Sequence, residues 1–452
     1  MNQKIINHKK IIQLLFLIIL SNVVVAQQWN EVGQKGFSAG EAFNQSIALY
    51  GETPYVAYMD RENDDKATVM KFNGTEWVTV GPAAFTPGKA EDLSFALNGN
   101  IPYVAYSDKV NGSKLSVMKF DGSGWINVGP AGFTPNGVSV VSLAISNGVP
   151  YVAFQDWANN KVSVMKLDGG TWSFVGSPGF STGWMTNVIN LAVEGSTPYV
   201  VYRDYDENYK ASAMKFNGTT WELIGTQGFS GGTHDAYECI KIYNGTPYVT
   251  SWDDNANATT YKFSGSDWVS LGTPIVSEEQ GSSQSLGFSK NGILYMAFSD
   301  WSNSQKATVF KYDGEEWLQV GDAASLGNAT NISIAISDNG IPYIAYRDGW
   351  SMRKTTVMKF DNTTRVNSPA VDNAVKIYPN PGNGHFTMEL SAPHVDEIEI
   401  QVMNYLGQVV FSRQSVFNNK TEIDLSGKPN GLYVVQMKTK RNFCSKPVII
   451  NR

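Results

Sequence analysis

Residues 54–60 read PYVAYMD, and the phrase returns as PYVAYSD from Pro102, PYVAFQD from Pro150, PYVVYRD from Pro198 and PYVTSWD from Pro247. Two looser copies, LYMAFSD from Leu294 and PYIAYRD from Pro342, bring the series to seven, with steps of 48, 48, 48, 49, 47 and 48 residues. A second phrase keeps pace with the first: VMKFNG from Val69, VMKFDG from Val117, VMKLDG from Val164, AMKFNG from Ala213, then YKFSG, FKYDG and VMKFDN. Two landmarks moving together at one period mark a single folding unit copied along the chain.

Each unit reads as four short strands. In the third copy these are VVSLAIS (140–146), PYVAFQD (150–156), KVSVMKLD (161–168) and TWSFVGS (171–177), β-branched and aromatic runs separated by turn residues. Asn147-Gly148 joins the first two, and NG or DG pairs recur between the third and fourth, where residues that tolerate φ > 0 make tight hairpins. Helical repeats would need a 3.6-residue period, which these runs lack. Four antiparallel strands per unit, repeated radially, make a propeller blade.

The ends of the array predict closure. The last copy runs MKFDNTTRV from Met358, with Arg365 where a tryptophan belongs, and the missing fourth strand stands at the N-terminus as Trp29-Asn30-Glu31-Val32-Gly33. Tryptophans 29, 77, 125, 172, 221, 268 and 317 therefore also number seven. An N-terminal strand that completes the last blade removes an unpaired edge. The expected fold is all-β: a seven-bladed β-propeller of four-stranded blades over 27–365, closed by the N-terminal strand, a linker at 366–374, and a small β-sandwich over 375–452.

Residues 1–26 have the layout of a secretory signal peptide: Lys4, Lys9 and Lys10, the apolar run Ile11–Leu20, then Val24-Val25-Ala26 before a cut. The apolar run is too short for a comfortable membrane span, and no later segment approaches the length of one, so the mature chain is expected to have no transmembrane segment. Residues 27–365 carry 23 basic and 34 acidic side chains, net −11, whereas 366–452 carry nine and seven, net +2. That balance argues against nucleic acid as a partner, which calls for a basic footprint. Cys239 and Cys444 fall in separate expected domains, so a disulfide between them is not expected. With histidines only at 8, 234, 385 and 394, there is no zinc spacing.

The tail has its own motifs: Tyr378-Pro379-Asn380-Pro381, the Leu406-Gly407 turn, Gly431-Leu432-Tyr433, and the closing strand KPVIINR. In that order they resemble the C-terminal sorting domain of cargo of the type IX (Por) secretion system of Bacteroidota. The resemblance implies export by the general secretory pathway, folding in the periplasm and tail-directed passage across the outer membrane through the type IX machinery. It also implies removal of the tail and a secreted or surface-attached product.

Function in a propeller concentrates in the longer loops, here those joining strands two and three and strands four and one. Five tryptophans that are not repeat landmarks, Trp157, Trp184, Trp252, Trp301 and Trp350, fall on that side, with Tyr205, Tyr209, His234 and Arg347. An indole offers a flat apolar face and an N–H, which suit the C–H faces and hydroxyls of sugars. The aspartates ending each second strand, Asp60, Asp108, Asp156, Asp204, Asp253, Asp300 and Asp348, suit a structural role, accepting backbone N–H bonds in the turn that follows.

No cofactor is implied. Calcium is the one candidate ion, because the loops DRENDD (60–65), DYDENY (204–209) and DDNAN (253–257) are oxygen-rich, yet none has the spacing of an EF-hand. Catalysis would need a break in the sevenfold pattern, and the departures lie at His234, Asp235 and Glu238 and at Glu278 and Glu279. No nucleophile elbow, phosphate loop or zinc motif accompanies them. The expected function is a carbohydrate-binding, lectin-like propeller acting in adhesion or polysaccharide capture. The alternatives are a polysaccharide-degrading hydrolase or lyase with its cleft on the long-loop side, and a protein-interaction scaffold.

Overall fold

The computed structural model describes residues 28–231, 238–276, 283–361, 375–390, 397–404, 408–416, 420–438 and 443–452. The signal segment, the linker at 366–374, His234, Asp235, Glu278, Glu279 and Gly407 lie outside the described residues. The chain divides into two compact units, one spanning Gln27–Asn362 and the other holding the segment from Thr363 onward.

Each copy of the repeat forms a four-stranded antiparallel sheet that resembles a propeller blade. In the third copy the strands Val138–Ser146, Val149–Asp156, Lys161–Asp168 and Thr171–Phe174 pair in sequence order. Residues Pro150–Phe154 of the second strand are all buried, because both faces of that strand are covered, which explains its continuous apolar run. The hairpin residues Asn147 and Gly148 both have positive φ, +51° and +77°, as a two-residue mirror-image turn requires.

Seven such sheets occur among the described residues. Six use consecutive strands. The seventh joins Ala329–Ile336, Pro342–Asp348 and Lys354–Asp361 to the N-terminal strand Gln28–Glu31, in register from Gln28 opposite Asp361 to Glu31 opposite Met358.

Tryptophan fixes each sheet to its neighbour. The indole of Trp77 donates to the Val32 carbonyl at 2.7 Å, and Trp125, Trp172, Trp221, Trp268 and Trp317 donate to Val80, Val128, Val175, Ile224 and Leu271. Trp29 of the N-terminal strand donates in the same way to the Val320 carbonyl at 2.9 Å. Phenylalanines of the connecting loops stack on these rings, as in Phe85 on Trp125 with centroids 3.8 Å apart. One apolar cluster unites Ile47, Val56 and Tyr58 of the first sheet with Tyr343, Ala345 and Val357 of the last.

The first strands depart from the expected straight run. In the third copy the strand begins at Val138 and slips register between Ser139 and Ser142, and the same shift occurs in the first, second, fourth and seventh copies. Asn44, Asp92, Val140 and Asn331 sit at that point with φ near +50°. A β-branched residue such as Val140 disfavours this conformation, so its residue type did not signal the bulge.

The C-terminal unit has a three-stranded sheet of Val375–Tyr378, His385–Leu390 and Lys420–Asp424. Its four-stranded sheet orders Val409–Val416, Glu397–Met403, Gly431–Lys438 and Phe443–Ile450. Phe386, Met388, Ile400, Val402, Tyr433, Val435 and Val448 are among the residues that fill the core.

Candidate functional site

In every sheet the turn between strands one and two lies at one end, the hairpin end, as does the turn between strands three and four in the six sheets of consecutive strands. The longer connections lie at the other, the loop end. The blade aspartates organise the loop end. Asp108 accepts from the Val110 backbone N–H at 3.1 Å, Asn111 Nδ2 at 2.7 Å and Ser116 Oγ at 2.8 Å. Asp60, Asp204, Asp300 and Asp348 likewise accept from a hydroxyl eight residues on, at Thr68, Ser212, Thr308 and Thr356. Asp156 accepts from Ala158 N and Asn136 Nδ2, and Asp253 from Asn255 N, Asn257 N and Asn257 Nδ2. These carboxylates hold the loops in shape, and all but that of Asp253 are buried.

The neighbouring tyrosines share that environment. Burial, with Asp204 and other groups as smaller influences, pushes Tyr202 up to about 12; burial followed by Asp60 also raises Tyr58.

On this frame sit exposed aromatic platforms. Trp157 is 50% exposed; its Nε1 donates to Ser139 Oγ at 3.1 Å, and a Cβ on Gly137 would lie 2.4 Å from its ring. Trp350, 69% exposed, rests in the same way on Gly327. In the fourth sheet Trp184, Tyr205 and Tyr209 form a cluster, with centroids 6.4 Å apart for the first pair and 5.2 Å, edge-on, for the second. The Arg203 guanidinium stacks 5.0 Å from the Tyr209 ring, and its Nε donates to the Tyr209 carbonyl. A ring backed by glycine or by another ring loses little freedom when a ligand covers it.

Two expected ligand contacts are corrected. Trp252 is 1% exposed and packs edge-on against Phe298, so it belongs to the core. Arg347 is only partly exposed, pairs with Glu41, which directly precedes the first sheet, and covers the Phe43 ring at 4.5 Å, so it serves the contact between sheets. Both directly precede a blade aspartate, a position at which Met59 and Ser107 are buried. Trp301 opens the 3-10 turn Trp301–Asn303 and is partly exposed.

Glu238 departs from the pattern in another way. It is buried, with no partner for either carboxylate oxygen in another residue among the described residues, and burial, opposed in part by its own backbone and by Arg203, pushes its pKa up to about 8. The residue is 4% exposed. Among the described residues no group of three or more His, Cys, Asp or Glu side chains is placed to hold a metal. Sequence reasoning overlooked Gly137 and Gly327, whose only signal was a glycine shortly before a first strand, and the exposed Leu326 and Met352 beside Trp350.

In the tail, Tyr378 Oη donates to Glu389 at 2.7 Å, and Asn380 joins the last strand by donating to the Pro447 carbonyl and accepting from the Ile449 N–H. Tyr433 Oη donates to the Pro429 carbonyl at 2.9 Å. Residues 376–451 match the family described as secretion system C-terminal sorting domain.

This segment is a type IX sorting domain.

A type IX sorting domain implies secreted or cell-surface export, and no helix among the described residues is long and apolar enough to cross a membrane. No curated protein matches the chain. Among solved structures, the chain is similar to an ulvan lyase bound to -[GlcA(1-4)Rha3S]-, at 14% identity over 73% of this chain and 94% of that one, with a TM-score of 0.48. It is similar to the SapL1 lectin in complex with alpha methyl fucoside, at 15% identity, 64% and 97% coverage and a TM-score of 0.44. A third similar structure is the six-bladed β-propeller lectin of Aleuria aurantia, at 15% identity, 65% and 100% coverage and a TM-score of 0.41.

Proposed function

We propose that this is an exported, closed seven-bladed β-propeller that binds carbohydrate at the loop ends of its sheets, carried to the cell surface or beyond by its type IX sorting domain. The observation that carries the reading is the set of exposed rings at Trp157, Trp184, Tyr205, Tyr209 and Trp350, each at a loop end and several braced from behind. Flat apolar faces beside polar loop groups are what sugar rings need. Closure rests on the strand pairing of Gln28–Glu31 with the last sheet and on the Trp29 bond to Val320. Closure would set the loop ends side by side on one face, so weak sites in several blades would act together on a polymer.

No cofactor enters this reading. A glycan array probed with the mature full chain tests it. Binding without release of shorter products, lowered by Trp184→Ala and Trp350→Ala, supports the assignment. Product release would move it to a polysaccharide-cleaving enzyme, and silence across the array would leave a protein-interaction scaffold. Export has its own test: deletion of 366–452 should retain the propeller in the periplasm, and normal surface display of the deletion would refute the role of the tail.

A further inference from the structure

The hairpin ends of the sheets repeat one arrangement. The tyrosine of each second strand, or its equivalent, stands opposite a lysine of the third: Tyr55 and Lys71, Tyr103 and Lys119, Tyr343 and Lys359, and so in all seven sheets. The ammonium lies over the ring at 6.0 Å in Lys119–Tyr103 and at 5.9 Å in Lys262–Tyr248. Each boundary between sheets is thus edged by the same aromatic and cationic groups.

The boundary between the last and first sheets differs in its turn residue: it is Glu52, where the other copies have Asn100, Gly148, Ser196, Gly245, Gly292 and Gly340. Glu52 Oε1 accepts from Asn339 Nδ2 at 2.9 Å and its Oε2 from Tyr343 Oη at 3.1 Å, so the carboxylate spans the seam. The N-terminal strand brings Glu31 to the same place. A cavity of about 730 Å³ opens there, walled by Tyr55, Phe72, Tyr343, Lys71, Lys359 and the two glutamates.

We infer that this seam cavity is a second binding site, specific for an uncharged oligosaccharide. Its two ammonium and two carboxylate groups balance, so a charged ligand would meet its own sign on one wall. An apolar ligand would strip water from four charged groups and offer nothing in return. Among the described residues neither Lys71 nor Lys359 has a carboxylate within ion-pair distance, so both ammonium groups are free to donate. Sugar hydroxyls both donate and accept, and so serve lysines and glutamates together. Their C–H faces suit Tyr55 and Phe72, and the volume falls within the range of small-molecule sites. Glu52 occurs once in seven copies, so there is one such site per chain. It stands apart from the loop ends and does not depend on the reading proposed for them.

The test is calorimetric titration of the mature full chain with a panel of uncharged hexasaccharides of β-1,3-glucan, β-1,4-glucan, xylan and mannan types. One binding event is expected to persist in the Trp157→Ala, Trp184→Ala, Trp350→Ala triple variant. It should weaken at least about tenfold in Lys71→Gln, Lys359→Gln with the melting temperature kept, and change little from roughly 50 to 500 mM salt. Because Glu52 also stitches the seam, the lysine variants rather than Glu52→Ala carry the test. Loss of all binding in the tryptophan variant would overturn the second site while leaving the loop-end reading intact. Unchanged binding in the lysine variant, or tighter and steeply salt-dependent binding of an oligogalacturonate, would overturn it as well.

Discussion

Trp29 Nε1 donates to the Val320 carbonyl at 2.9 Å across 291 positions of sequence. It is the same bond that Trp77 makes to Val32 and Trp125 to Val80, made here between the first strand of the unit and its sixth sheet. The N-terminal strand therefore carries the same inter-sheet contact as every other fourth strand. Trp29→Ala should lower stability by about 2–4 kcal/mol, through lost packing on Phe360 and a carbonyl left without its donor. Urea titration beside Trp77→Ala checks this: comparable losses are expected, and a neutral Trp29→Ala would show that the N-terminal strand does not hold the seam.

Asp108 gathers three donors at one buried carboxylate. Asp108→Ala leaves Val110 N–H, Asn111 and Ser116 without their acceptor and is expected to cost about 2–3 kcal/mol, with Asp108→Asn costing less. Thermal melts of the two variants against the wild type give the comparison.

Gly327→Ala would put a methyl group where the Trp350 ring lies. The indole is exposed and can swing away, so stability should change by less than about 1 kcal/mol. Glycan binding should fall as far as in Trp350→Ala. Retained binding with the ring displaced would remove Trp350 from the site.

Glu238 is expected to make stability pH-dependent in an unusual direction for a carboxylate. Its folded pKa, raised to about 8, exceeds the ordinary value near 4.5, so between those values the unfolded chain is the form that gives up the proton. Stability should fall as pH rises through that window and level off above it, by an amount on the order of a few kcal/mol. Glu238→Gln should flatten the slope. Urea midpoints at pH 5 and pH 8 measure it, and equal slopes for variant and wild type would exclude Glu238 as the source.

The repeat made most of the scaffold legible. Alternation and turn residues located the four strands of the third copy to within a few residues, and the count of tryptophans pointed to Gln28–Glu31 as the fourth strand of the last sheet. The site was legible only in part. Trp157, Trp184 and Trp350 lie beyond the strands and are exposed, whereas Trp252 and Arg347 are held at a strand position that faces the next sheet.

By itself the sequence determined the unit, its number and the order of strands, because these follow from short-range periodicity and turn chemistry repeated seven times. It also identified the sorting domain, through short motifs set in order. The tertiary structure alone decided which loop side chains stay free, where the first strands bulge, and how Glu52 meets Tyr343 across 291 positions to frame a cavity. Those outcomes depend on residues brought together from opposite ends of the unit, and no local pattern records what a side chain will find on the neighbouring sheet.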